Sequence, residues 1–127
     1  MASTAQPTIA LGGTASSLRV SRISLGLMGL TWVDESQYTP DDQAFAVIRA
    51  AIDSGVTLLD AGQFYGPQKD PHANLKLLRR YFQKYPDDRD KVILCVKGGA
   101  QIFGPDGYKE AGMAGLAPLT EDRKSVV

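Results

Sequence analysis

The chain has 127 residues, which gives room for one ordinary domain. Its 43% hydrophobic and 22% charged residues are typical of a globular protein, and a net charge of zero gives no reason to expect nucleic acid or an anionic membrane as a partner. No apolar run approaches the roughly 20 residues that a membrane-spanning helix needs. The N-terminus lacks the basic region and long apolar core of a secretory signal.

Cys95 is the one cysteine, so the chain cannot form an internal disulfide. We therefore expect a reducing compartment and a cytoplasmic location. Cys95 stands between Leu94 and Val96, a context typical of a buried strand cysteine. A reactive thiol is the alternative interpretation.

The first strands are expected in the N-terminal quarter of the chain. Residues 1–18 are interpreted as a flexible N-terminal stretch in which a β-hairpin begins, with weak strand patterns at Thr8–Leu11 and Leu18–Val20 around a pair of glycines. Ile23–Leu30 is apolar without alternation, which is typical of a strand covered on both faces.

A helix is predicted next. Thr39 offers a capping hydroxyl, Pro40 suits the first helical position, and Gly55 marks the end of the helix. Between them, one apolar face at helical spacing consists of Ala44, Val47, Ile48, Ala51 and Ile52.

The same cycle of strand and helix then repeats. Val56–Leu59 predicts a strand, Ala73–Lys84 a second helix, and Lys91–Val96 a third, buried strand. The apolar face of the second helix is predicted to consist of Leu75, Leu78 and Phe82, with Leu77 and Tyr81 beside them. Strands alternating with helices at this spacing indicate a parallel sheet, so the predicted fold class is α/β.

Chemistry is expected where these strands end. Asp60 follows the second parallel strand and Lys97 the third, so their backbones should lie about 4.8 Å apart on one rim of the sheet. Tyr65, in the loop after Asp60, can fold over the same place. A phenol is a weak acid, with a pKa of about 10 in water, and a cation beside it favours the phenolate. The three side chains can therefore form a proton-donating unit, although a structural Asp–Lys ion pair with a surface tyrosine fits the spacing as well.

Three ordered motifs, SRISLGLMGLTW, TLLDAGQFYG and KVILCVKGG, resemble the opening units of an aldo-keto reductase. Together with NLKLLRRYFQKYP, they are most similar to the fungal pyridoxal reductase branch. That family folds as a (β/α)₈ TIM barrel and reduces carbonyl compounds with NADPH. The resemblance implies that residues 19–100 form the first three βα units of such a barrel, with the preceding hairpin plugging its bottom.

The resemblance also implies roles for particular residues. Asp60, Tyr65 and Lys97 would be three members of the family's catalytic tetrad, with Tyr65 as the general acid. The residues expected to border the NADP cofactor are Gly29, Leu30 and Thr31 at its nicotinamide end and Asp60 at the ribose. Trp32 would wall the pocket of a small-molecule carbonyl substrate, although packing is an equal interpretation for a loop tryptophan. No metal is implied.

The sequence departs from the family in its extent. A (β/α)₈ barrel typically needs about 250 residues, and three of its eight strands are predicted here. The tetrad histidine expected on strand four is missing, and His72, in the loop before the second helix, cannot replace it by position. Residues 101–127 are rich in glycine and proline and are expected to be irregular.

Two functional interpretations therefore stand. Either the chain represents an aldo-keto reductase without its C-terminal part, or it is an inactive fragment that is unstable alone or serves as a non-enzymatic interaction module. A Rossmann dinucleotide domain is a weaker alternative. Its G-x-G-x-x-G fingerprint, counted from Gly26, meets Met28 and Thr31 where glycines are needed.

Overall fold

The computed structural model describes residues 6–98, apart from the Glu35 side chain, so the predicted tail at 101–127 lies outside the described residues. An antiparallel hairpin precedes a parallel sheet with the strand order β3–β4–β5, and helices α1 and α2 occupy the two connections of that sheet. The predicted α/β alternation is confirmed. The elements are β1 (Thr8–Ala10), β2 (Arg19–Ser21), β3 (Leu25–Gly26), α1 (Asp41–Asp53), β4 (Leu58–Gly62), α2 (Ala73–Lys84) and β5 (Ile93–Lys97).

The predicted strand over Ile23–Leu30 is much shorter than expected. Only Leu25 and Gly26 pair with β4, and the backbone N–H of Leu27 donates a last hydrogen bond to the carbonyl of Asp60. The chain then turns into a 3₁₀ helix over Met28–Leu30. The missing alternation thus reflects a short strand that runs into a turn, and not a strand covered on both faces.

The second parallel strand lies further along the chain than Val56–Leu59. Because β4 covers Leu58–Gly62, Asp60 is the middle residue of the strand and stands opposite Gly26 and Cys95 in the neighbouring strands. An unpaired carboxylate in mid-strand would be costly if the sheet were covered on both sides. The sheet is not covered on the side of Asp60, whose side chain keeps 36% of its surface exposed, so this cost does not arise.

The two faces of the parallel sheet have different surroundings. Side chains alternate between the faces along a strand, and residues in register share a face. Leu59 and Ala61 are fully buried against α1 and α2, with Leu94 and Val96 packed beside them. The opposite face carries Leu58, Asp60, Ile93, Cys95 and Lys97, all of which are partly or fully exposed among the described residues.

The prediction that Cys95 is buried is wrong. Its thiol is exposed, because Cys95 is in register with Asp60 and points to the face of the sheet that the helices do not cover. The apolar neighbours Leu94 and Val96, which suggested burial, lie on the other face.

Helix α1 begins one residue later than predicted. Pro40 is the N-cap, and no side chain caps the helix, so the Thr39 hydroxyl does not have the expected role. Gly55 has a φ of 88°, a conformation that favours glycine, and it ends the helix as predicted. The buried residues are Ala44, Phe45, Ile48 and Ile52, whereas Val47 is 45% exposed.

Helix α2 has the bounds that its sequence predicts. Its buried residues are Asn74, Leu77, Leu78 and Tyr81, while Leu75 and Phe82 pack at the margin of the core. The centre of the apolar face therefore lies one residue away from the predicted row. The polar Asn74 is completely buried at the first turn.

Asp88 anchors α2 to the segment that leads into β5. The PDDRD stretch forms a 3₁₀ helix over Pro86–Lys91, and Asp88 within it is only 2% exposed. The Tyr81 hydroxyl donates a hydrogen bond of 2.6 Å to one carboxylate oxygen, and the Lys91 ammonium donates one of 2.8 Å to the other. The hydrogen bond from Lys91, followed by that from Tyr81, holds the pKa of Asp88 below its usual value of 3.8.

This anchor predicts a pH-dependent contribution to stability. Because the pKa of Asp88 is lower in the folded chain, its contribution is fully present above the ordinary carboxyl pKa and is lost as the pH falls through the folded value. We expect Asp88→Asn to lower the free energy of unfolding by about 1.5–3 kcal/mol near neutral pH, with the difference from the parent shrinking in acid.

Urea unfolding followed by circular dichroism, from about pH 7 to about pH 3, measures this effect. Asp87→Asn is the matched control, because Asp87 is exposed and adjacent in the chain. Equal stabilities of the two variants at neutral pH would contradict the role of Asp88.

Candidate active site

Three polar side chains converge on the open face of the parallel sheet. Asp60 is the middle residue of β4, Lys97 is the last residue of β5, and Tyr65 lies in the loop that follows β4. The register pairs Lys97 with Gly62, two residues after Asp60 on the same face of the sheet. The lysine side chain therefore extends back along the strand and donates a hydrogen bond to the Asp60 carboxylate. The structure thus brings together the three predicted residues, but it corrects the predicted rim, because Asp60 lies in mid-strand and Lys97 at the end of the neighbouring strand.

Tyr65 is held against the backbone of β4. The chain turns sharply after the strand, and the backbone N–H of Tyr65 donates to the carbonyl of Gly62. A Cβ on Gly62 would lie only 2.7–2.8 Å from three atoms of the Tyr65 ring, so the ring fills the space that a side chain would need. Tyr65 is 7% exposed, and the alternative of a surface tyrosine is therefore wrong.

Lys97 links the carboxylate to the phenol. Its ammonium nitrogen lies 5.5 Å from the centroid of the Tyr65 ring. The hydrogen bond to Asp60 raises the pKa of Lys97 above its usual value and outweighs partial burial, which acts in the opposite direction. The Tyr65 hydroxyl raises it further. Lys97 is therefore cationic at neutral pH, beside a phenol.

The Asp60–Lys97 pair contributes little to folding. The side chains are 36% and 45% exposed, and ion pairs at such positions are typically worth about 0–1 kcal/mol. What the pair does provide is a fixed positive charge next to a buried phenol. A positioned cation of this kind stabilises a negative charge that develops on a nearby oxygen.

An aromatic cluster surrounds the phenol. The Trp32 indole stacks on the Tyr65 ring at a centroid distance of 5.8 Å and an angle of 29°, and Phe64 meets both rings edge to face. Trp32 is partly buried. The structure thus places the predicted pocket residue directly beside the predicted acid.

The predicted cofactor rim lies in the 3₁₀ turn after β3. Gly29 has open space where a side chain would be, and Leu30 is partly buried. Thr31 is only 8% exposed, and its hydroxyl donates a hydrogen bond of 2.6 Å to the carbonyl of Tyr65. The side chain of Thr31 is therefore used inside the protein, and its backbone N–H donates to the carbonyl of Met28.

Asn74 is the residue that the sequence analysis missed. It is completely buried, and its amide contacts Leu27, Thr31 and Gly62 in the loops around the candidate site. A signal was present in the sequence. Asn74 precedes Leu77, Leu78 and Tyr81 by three, four and seven positions, so it is a polar residue on an apolar helical face, which needs an internal partner.

His72 contacts the backbone of the loop that follows β4. It is exposed at the N-terminal end of α2, and its Nδ1 lies 2.7 Å from the carbonyl oxygen of Gln63. Within residues 6–98, no group of three or more histidine, cysteine or acidic side chains is arranged to hold a metal ion. No helix in this part of the chain is long and apolar enough to cross a membrane.

Comparison with known proteins gives consistent results. The sequence profile of the aldo/keto reductase family matches residues 22–117. The chain is 46% identical over 95 residues to "Probable pyridoxal reductase 2" of Schizosaccharomyces pombe, and 46% identical over 93 residues to an uncharacterised oxidoreductase of the same yeast. These matches cover 73% of this chain but only 28% and 26% of the relatives, so the chain spans little more than a quarter of their length.

A solved structure supports the fold. A Pseudomonas aeruginosa protein assigned to the aldo-keto reductases superposes with a TM-score of 0.57 at 22% sequence identity. The superposition covers 73% of this chain and 31% of that protein. At this identity the likeness speaks for the fold alone, and it agrees with the opening units of a (β/α)₈ barrel that is not closed within residues 6–98.

The contact between Gly62 and Tyr65 predicts a sharp intolerance to a methyl group. We expect Gly62→Ala to lower the free energy of unfolding by about 1–3 kcal/mol, because the added Cβ clashes with the Tyr65 ring, which must then shift from its packed position. Thermal unfolding measures the change. Gly26→Ala is the matched control on the neighbouring strand, since its Cβ would meet no atom within 4 Å. A Gly62→Ala chain as stable as this control would contradict the packing argument.

Proposed function

Since the chain belongs to the aldo/keto reductase family, we propose that residues 6–98 supply the proton-donating part of the active site of an NADPH-dependent carbonyl reductase. The observation that carries the proposal is the convergence of a buried phenol, a cationic lysine and a carboxylate on one open sheet face. The family relationship supports an oxidoreductase, and the geometry supports the particular roles of these side chains.

In this proposal Tyr65 is the general acid. A carbonyl carbon that accepts a hydride leaves negative charge on its oxygen, and the phenol hydroxyl donates the proton that converts this oxygen into an alcohol. Lys97 stabilises the phenolate that remains, because its ammonium lies beside the ring. Asp60 keeps the ammonium charged and in place through their hydrogen bond. NADPH, when bound, supplies the hydride.

The residues around this unit fit the nicotinamide end of the cofactor. Asp60 keeps part of its carboxylate exposed and can accept hydrogen bonds from ribose hydroxyls. Gly29 leaves open space on the rim nearby, so a flat ring can approach the backbone closely. Thr31 contributes by holding this rim in place, since its hydroxyl donates to the carbonyl of Tyr65 and its backbone N–H to that of Met28.

For the substrate we propose an aromatic aldehyde of the pyridoxal type. The relative named "Probable pyridoxal reductase 2" suggests this class. The stacked arrangement of Trp32 beside Tyr65 is compatible with it, because an indole wall next to the proton donor suits a flat aromatic ring. Trp32 would then serve as the wall of the substrate pocket.

A second candidate function is a non-enzymatic interaction module. Among the described residues, β3 and β5 each have one strand neighbour, and such edges can pair with strands of another chain. This alternative predicts binding without turnover, even when the rest of a barrel is supplied.

Activity tests separate these candidates. We expect the 127-residue chain alone to show no measurable NADPH-dependent reduction of pyridoxal, because the chain spans little more than a quarter of its relatives' length. We expect turnover when residues 1–98 are joined to the C-terminal part of "Probable pyridoxal reductase 2" that this chain does not match. This fusion is called the completed barrel below. Absence of turnover in a folded completed barrel would argue for the interaction module.

Substitutions in the completed barrel test the roles of individual residues. Tyr65→Phe removes the proton donor, so kcat should fall by about 10²–10⁴-fold while NADPH binding changes little. Stopped-flow kinetics and cofactor fluorescence titration measure the two quantities. A near-normal kcat in Tyr65→Phe would remove Tyr65 from the mechanism.

Lys97→Met should have a different signature. The phenol remains but loses the neighbouring cation that stabilises the phenolate, so the loss of residual activity in alkali, where the donor has lost its proton, should move to a higher pH. Asp60→Asn should resemble this change and also weaken NADPH binding. If the Asp60–Lys97 pair were merely structural, both variants would lower the melting temperature and leave the pH–rate profile of the folded enzyme unchanged.

A further inference from the structure

A buried polar network joins α2 to the loop of the candidate acid, and we propose that Asn74 is the positioning residue that fixes Tyr65 for proton donation. This inference rests on the proposed function, in which Tyr65 is the donor. The network runs from the Asn74 amide, through the Thr31 hydroxyl, to the backbone carbonyl of Tyr65. None of these bonds uses the phenol hydroxyl, so Asn74 acts through the backbone and leaves the reacting group free.

The orientation of the Asn74 amide is fixed by its partners. Its nitrogen donates hydrogen bonds of 2.9 Å to the carbonyl of Leu27 and of 2.9 Å to the Thr31 hydroxyl. Because a carbonyl can only accept, the nitrogen of the amide must face Leu27. The amide oxygen then accepts a longer bond of 3.4 Å from the backbone N–H of Gly62. With no exposed surface, Asn74 has no water to exchange for these partners.

Asn74 in turn fixes the direction of the Thr31 hydroxyl. A hydroxyl can donate one hydrogen bond and accept others. Since the Asn74 nitrogen only donates, it occupies an acceptor position on the Thr31 oxygen and leaves the hydroxyl proton for the Tyr65 carbonyl. The resulting bond is 2.6 Å long and buried. Without Asn74, nothing in this network restricts the hydroxyl to that direction.

The network ties three elements together at the candidate site. Leu27 and Thr31 belong to the segment after β3, Gly62 ends β4, and Asn74 belongs to the first turn of α2. The Tyr65 backbone is therefore held from the side of α2, while its ring rests on Gly62 and stacks against Trp32. These constraints together set the distance between the phenol and Lys97.

Trp32 provides a direct test, because it is the only tryptophan of the 127-residue chain and stacks on Tyr65. Asn74→Leu keeps a similar side-chain volume and removes all three hydrogen bonds. We expect its folded form to show tryptophan emission shifted toward that of the urea-unfolded chain, with easier quenching by acrylamide. Leu78→Ala is the matched control. Leu78 is a 3% exposed residue of the same helix, belongs to the apolar core and makes none of these hydrogen bonds.

Kinetics of the completed barrel provide the second test. A misplaced donor slows the chemical step more than it weakens substrate binding, so Asn74→Leu should lower kcat by about 10- to 100-fold with little change in KM. Thr31→Val removes the middle hydroxyl without a change in shape and should also lower kcat. If the two residues act through one network, the effect on kcat of the double variant should be clearly smaller than the product of the single effects.

The possible outcomes separate the positioning role from the proposed function. Loss of stability with unchanged tryptophan emission and kcat, as expected for Leu78→Ala, would show that Asn74 is merely structural and would overturn the inference. Independent effects of Asn74→Leu and Thr31→Val would overturn the network. A completed barrel that is inactive with Tyr65 intact would refute the proposed function, and the emission of the 127-residue chain would still decide whether Asn74 holds the Tyr65 loop. Should the 127-residue chain with Asn74 intact lack the emission of a buried tryptophan, the kinetic comparison decides. If the completed barrel with Tyr65 and Asn74 intact is then also inactive, both the inference and the proposed function are overturned.

Discussion

The parallel pairing of β4 with β5 is the constraint on which the rest of the described structure depends. Its register places Asp60 opposite Cys95 and Gly62 opposite Lys97, so the polar side chains share one face. The same register sends Leu59 and Ala61 to the other face, where α1 and α2 bury them. A shift by one residue would exchange the two sets, burying the charges and exposing the core. The apolar packing of the helices therefore enforces the alignment of the polar groups.

Two groups of charged side chains in this chain differ in how much of their carboxylate is exposed to solvent. Asp88 is almost completely buried and holds α2 against the segment before β5, so its loss leaves the buried Tyr81 hydroxyl without its acceptor. Asp60 and Lys97 are substantially exposed, and their pairing is worth little for folding. What this exposed pair does fix is the position of a positive charge, 5.5 Å from the centroid of the buried Tyr65 ring.

Sequence patterns predicted the features that depend on local periodicity. The bounds of α2 were recovered because helical spacing and Pro86 mark them clearly. The proximity of Asp60 and Lys97 followed from the order of strands and helices, although Asp60 lies in mid-strand and not at the predicted strand end. Features that depend on long-range contacts were missed. Cys95 was expected to be buried because its neighbours are apolar, yet burial is decided by which face the helices cover. The burial of Asn74 depends on hydrogen bonds to a segment 43 to 47 residues earlier in the chain. The need for glycine at position 62 depends on the Tyr65 ring, which folds back onto the strand.

The unequal faces of the sheet also have a consequence for biosynthesis. The layer between the helices and the sheet is completed by residues 25–98, so it can form on the ribosome as soon as β5 has left the exit tunnel. The opposite face offers Leu58, Ile93 and the Cys95 thiol to solvent at that stage. A nascent chain of this length would thus present one face of the sheet, with its thiol, to chaperones and oxidants.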